Sequence, residues 1–147
     1  MGNEARRAAV AALIRLAESP DYRDRADAGC SLATFAEMPE ARGPLLGLVL
    51  DADDTFITRA TAEALLRRQD SAGLEVVATA LAAADPNHVE WIHTAVLDVF
   101  GVFSRDRDAA VRECEVLDSD EQTRCGLDQL TTMLVGITPI LHPAQND

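Results

Sequence analysis

The chain has 147 residues, the length of a single domain able to bury roughly two-thirds of its unfolded surface. Hydrophobic residues make up 48% and aromatics only 4%, with much of the apolar content in Ala, Leu and Val and few β-branched runs, which favours helices over sheet. Net charge is −12, from 25 acids against 13 basic residues that are all Arg, and a surface of that sign repels phosphate backbones, which argues against nucleic acid as a partner.

Near the N-terminus the apolar run Ala8 to Leu16 is broken by Arg15, too short for a signal peptide. No stretch reaches the roughly 18 apolar residues of a membrane span, so a cytoplasmic protein without membrane contact is expected. Cys30, Cys114 and Cys125 are odd in number and lack Cys-x-x-Cys spacing, which points to reduced, packed thiols rather than to disulfides or zinc.

In chain order, the first helix is read over Asn3 to Glu18, with Val10, Leu13, Ile14 and Ala17 at helical spacing and Pro20 stopping it. Asp21 caps a second that runs to about Met38 through Ala28, Leu32 and Phe35, ended by Pro39. A short apolar third spans Glu40 to Leu50, its first turn disturbed by Gly43-Pro44. The fourth, capped by Asp53-Asp54 and running to Arg68, is apolar on two faces. Ala62, Leu65 and Leu66 lie on one and Phe56, Ile57, Ala60 and Ala64 on the other, so neighbours are expected on both sides.

Asp70-Ser71 caps a fifth helix that Asp85-Pro86 terminates, and a sixth starts near Asn87 and runs to about Phe103. Arg105 to Leu117 forms a seventh, and Ser119-Asp120 caps an eighth that reaches about Gly136. This gives one helical-repeat domain, 1–136, and a C-terminal tail, 137–147, bracketed by Pro139 and Pro143, whose Ile137, Ile140 and Leu141 could fold back on the last helix. The expected fold class is all-α, without strands, as four antiparallel helical pairs.

The even helices superpose in sequence. Asp21, Asp54 and Asn87 are 33 apart; Ala28, Ala62 and Ala95, and likewise Leu32, Leu66 and Val99, follow at intervals of 34 and 33. Arg25 and Arg59 stand three residues before their alanines, and Arg124 three before Leu127. In these residues the chain resembles HEAT repeats, whose second helix carries an Asp, an Arg shortly after it, then a small residue and a Leu. The period resembles that of the short HEAT-like repeats of the bilin-lyase type.

The resemblance implies an α-solenoid and a structural ladder in which Asp caps the helix and Arg bridges acids of successive repeats. Asp21, Arg25, Asp54 and Arg59 would fill it, with Asp120 and Arg124 a looser match. The third repeat departs, having Ile92 at the Arg position.

No catalytic, cofactor or metal constellation emerges: there is no phosphate loop, nucleophile elbow or His-Glu-x-x-His, and His88 and His93 are five apart, so they do not share a helix face. The one Trp, Trp91, falls off the apolar stripe of the sixth helix, in line with Thr94 and Asp98. It lies in a stretch from Gln69 to Ser104 that has five acids and no Arg. Trp91, Glu90, Asp98, Thr94 and His88 are therefore the candidate contacts for a basic protein or peptide.

Two function classes stand at this level. One is a non-catalytic binding module, an adaptor or an inhibitor of immunity type, presenting the second, fourth, sixth and eighth helices as an acidic inner face. The other is an enzyme or small-molecule carrier with a pocket in the concavity, as the bilin-lyase likeness would allow. Oligomeric state is not legible.

Overall fold

Five helices start on an aspartate whose carboxylate accepts a first-turn backbone N–H, satisfying a donor the helix itself cannot. These are Asp21 with Arg23, Asp54 with Phe56, Asp70 with Gly73, Asp85 with His88 and Asp120 with Thr123. In the computed structural model, which describes residues 2–142, the chain forms α1 (Asn3–Ala17), α2 (Tyr22–Leu32), α3 (Pro39–Val49), α4 (Thr55–Arg67), α5 (Ser71–Ala83), α6 (Pro86–Phe100), α7 (Ser104–Val116) and α8 (Glu121–Val135). The fold is all-α among the described residues, and none of these helices is long and apolar enough to cross a membrane.

Two local readings shift. The second helix stops at Leu32 and continues as a 3₁₀ turn over Ala33–Phe35, where the Thr34 hydroxyl bonds the Ser31 carbonyl and Arg68 takes the Ala33 carbonyl at 2.9 Å. The cap of α6 is Asp85 and not Asn87, with Pro86 at the first helical position, so Asp85-Pro86 opens α6 rather than merely closing α5.

Packing arranges α2, α4 and α6 side by side as one layer and α1, α3 and α5 as the other. Ala28, Leu32, Ala62, Leu66, Val96 and Val99 are all buried between them, as the repeat predicts. Each fully buried leucine contributes about 1.5–3 kcal/mol. Helices α2 and α4 touch closely where Gly29 faces Thr61: a Cβ on Gly29 would stand 2.1 Å from the Thr61 Oγ1.

The last hairpin departs from the expected stacking. Helix α8 lies along α5, in the odd layer, and only grazes α6. The cause is visible at Gly126, whose missing side chain lets α8 approach the α5 backbone at Ala78. The even-helix face is thus made by α2, α4 and α6 without α8.

After α8 the chain turns back, with Ile137 and Pro139 buried. Leu141 forms an isolated parallel bridge with Phe103, its N–H donating to Val102 and its carbonyl accepting from Ser104. Ile140 and Leu141 themselves stay exposed, so the tail folds back through its backbone and not through these side chains. Pro143 and the rest of the tail to 147 lie outside the described residues.

Candidate binding face on α2, α4 and α6

Asp51, in the loop between α3 and α4, is the polar hub of this face. Its Oδ1 accepts from Arg25 of α2 at 3.3 Å, its Oδ2 from the N–H groups of Asp53 and Asp54, and its carbonyl faces His88 Nε2 of α6 at 2.7 Å. Arg25 also donates to the Ser19 and Pro20 carbonyls, so this largely buried pair, with His88 on the Asp51 carbonyl, joins three successive hairpins; Arg25 and Asp51 side chains are 13% and 11% exposed. The repeat alignment passes over Asp51 because it lies before the cap, in the loop.

The other ladder residues are placed as follows. Asp21, Asp54 and Asp120 cap their helices. Arg59 leaves α4 to meet Asp98 of α6 at 2.9 Å, a rung open to solvent on both sides. Arg124 turns inward within its own hairpin, donating to the Cys114 and Leu117 carbonyls at the end of α7 and reaching Asp128.

The stretch from Gln69 to Ser104, without Arg in sequence, is not free of cations in space. Arg68 pairs with Asp70, Arg42 with Glu75 and Arg59 with Asp98, and the His88 ring hydrogen-bonds Asp85, leaving Glu90 as the acid of that stretch whose carboxylate has no such partner among the described residues. Packing of successive hairpins brings these arginines in from earlier in the chain, which a one-dimensional charge count cannot register. Asp70 is held below the usual carboxylate range: burial pushes it up, but the Arg68 guanidinium and the Gly73 N–H outweigh this.

Trp91 is half-buried, on the stripe that also holds His88, Thr94 and Asp98. His88 and Asp98 on that stripe are engaged by the α3–α4 loop and by α4. Thr94 returns its hydroxyl to the Glu90 carbonyl. His93 is exposed, and among the described residues no three metal-ligating side chains come together.

The larger aromatic exposure lies elsewhere on the same face. Phe56, read as part of a buried face of the fourth helix, is 52% exposed, while Ile57 next to it takes the core position. It stands edge-on to Tyr22, itself 43% exposed, with ring centroids 6.1 Å apart. The two sit in the first turns of α2 and α4, beside the carboxylates of Asp21, Asp53 and Asp54; Arg23 lies over the Tyr22 ring. The sequence carries one signal for this: an aromatic within two residues of a capping Asp, Tyr22 directly after Asp21 and Phe56 two after Asp54.

No family model, curated protein or solved structure matches the chain.

A cleft of about 540 Å³ lies off this face, at the α7 end, between Phe103, Arg105, Asp106, Leu141 and His142. The three cysteines are free thiols. Burial pushes Cys114 up to about 11, and Cys30 is raised by burial and by the nearby Asp27 and Glu63.

Proposed function

We propose that this chain is a non-catalytic binding module, a cytoplasmic scaffold of the short HEAT-like α-solenoid kind that takes a protein or peptide with a basic patch on the face of α2, α4 and α6. An adaptor or an inhibitor of immunity type belongs to this reading. The observation that carries it is the exposed Tyr22–Phe56 pair set among aspartates. Aromatic side chains concentrate binding energy, and carboxylates around them favour a cationic partner through charge and cation–π contacts. Trp91 and Glu90 extend the same face onto α6, with Thr94 between them and Asp98. Free thiols suit a reducing compartment.

The test is fluorescence anisotropy with an arginine- and leucine-containing peptide against a glutamate-rich one, at low and high salt. Binding of the basic peptide alone is expected. Phe56→Ala should weaken it about 30-fold, corresponding to about 2 kcal/mol, with unchanged melting. Trp91→Ala should weaken it less. Equal binding of both peptides, or an unaffected Phe56→Ala variant, would sink the reading.

The second reading, an enzyme or small-molecule carrier, is favoured by the cleft at Phe103 and Leu141, which has the size of ordinary ligand pockets. That cleft is not in the concavity where the resemblance would put it.

A further inference from the structure

His88 is the first-turn residue of α6 whose ring bridges two elements. Its Nδ1 lies 2.8 Å from the Asp85 carboxylate and its Nε2 2.7 Å from the Asp51 carbonyl, and the side chain is 12% exposed. A carboxylate and a carbonyl are both acceptors only, so each ring nitrogen must carry a proton for both hydrogen bonds to exist. A neutral imidazole has one N–H and would set a lone pair against one of the two oxygens. Placing the proton on Asp85 instead would weaken its cap, because the same Oδ1 accepts the His88 backbone N–H.

We propose that doubly protonated His88 is a proton-controlled clasp that fixes the α3–α4 loop to the start of α6, and that loss of its proton releases the loop.

The surroundings set the direction. From its own helix His88 faces Asp85; from the α3–α4 loop Asp51, with Asp53 and Asp54 bonded to the Asp51 carboxylate; from α2 comes Arg25, on that carboxylate's other oxygen; and from α1 Glu18 lines the groove that Asp51 borders. Among these groups His88 and Arg25 are the cations. The Asp51 carbonyl first, then the Asp85 carboxylate, hold the imidazole above its ordinary range, against the opposing effect of burial. The clasp's contribution is therefore complete below the ordinary imidazole range and is lost as pH rises through the raised value. This device stands whether or not the face binds a basic partner.

The experiment is a two-part NMR titration of the full chain. The ¹⁵N shifts of the His88 ring should remain those of an imidazolium to a pH above the ordinary imidazole value, distinguished from His93 and His142 by His93→Gln and His142→Gln variants. The Asp53 and Asp54 amides should lose about tenfold in hydrogen-exchange protection as His88 deprotonates, beyond the intrinsic pH effect. In His88→Gln their protection should be low and independent of pH. In Asp85→Asn, which keeps an N-cap, His88 should titrate lower and the loss of protection should move with it. A His88 ring that becomes a single neutral tautomer at or below the ordinary imidazole value would overturn the proposal. So would unchanged Asp53 and Asp54 protection across the His88 titration, whatever its charge.

Discussion

Adding one methyl group at two glycines should move stability in opposite directions. On Gly126 the new Cβ would lie 1.7 Å from the Ala78 oxygen and 2.5 Å from its carbonyl carbon, where ordinary contact begins at 3.4 Å. The obstacle is α5 main chain, so no rotamer change relieves it, and α8 must withdraw and open the seam it shares with α5. Overpacking of that kind costs about 3 kcal/mol, against roughly 0.5–1 kcal/mol gained from the better helix former, leaving a net loss near 2 kcal/mol. Gly47, in the last turn of α3, is exposed and has nothing within 4 Å of such a Cβ. Gly47→Ala should therefore gain about 0.5–1 kcal/mol. Urea denaturation followed by circular dichroism reads both, and in melting the change should be about 2–4 °C per kcal/mol. A Gly126→Ala protein as stable as the parent would refute the placement of α8 across α5 at Ala78.

Leu66→Ala should cost about 2–5 kcal/mol in the same assay, since the side chain is fully buried between layers; a loss below about 1 kcal/mol would count against the layer assignment. Arg25→Met should destabilise by about 2 kcal/mol or more, because it strands the buried Asp51, whereas Arg59→Met should cost less than about 1 kcal/mol because its rung is solvated. The reverse ranking would mean the hub is misplaced. A thiol reagent at pH 8 should modify Cys125 fastest and Cys30 more slowly, leaving Cys114 untouched until unfolding, since it is buried and its thiol stays protonated; three equal rates would contradict this.

Much of the architecture is legible because its causes are local. Capping aspartates at Asp21, Asp54, Asp70 and Asp120 and stops at Pro20 and Pro39 mark helix ends. Ala28, Ala62 and Ala95 recur because neighbouring helices need small residues at equivalent points of contact. What was not legible depends on where distant segments meet. Nothing in the spacing of α8 says that it leaves the even layer; the sign is one glycine, Gly126, whose meaning depends on Ala78 in another helix. The acids of residues 69–104 look unpaired because Arg42, Arg59 and Arg68 come from earlier hairpins. Phe56 and Ile57 are neighbours of similar hydrophobicity, and only the roll of α4 against its neighbours decides which is buried. Asp51 escaped notice for a related reason: a loop acid becomes a hub only once Arg25 and His88 converge on it.

A basic partner on the face of α2, α4 and α6 should seat at the exposed aromatic pair. Backbone and aromatic NMR shifts recorded while an arginine-rich peptide is added test it most directly. The largest changes should cluster at Tyr22, Phe56 and Glu90, spread to the Trp91 indole, and fade with added salt. Shifts gathered at Phe103 and Leu141, or no residue-specific change at millimolar peptide, would contradict it.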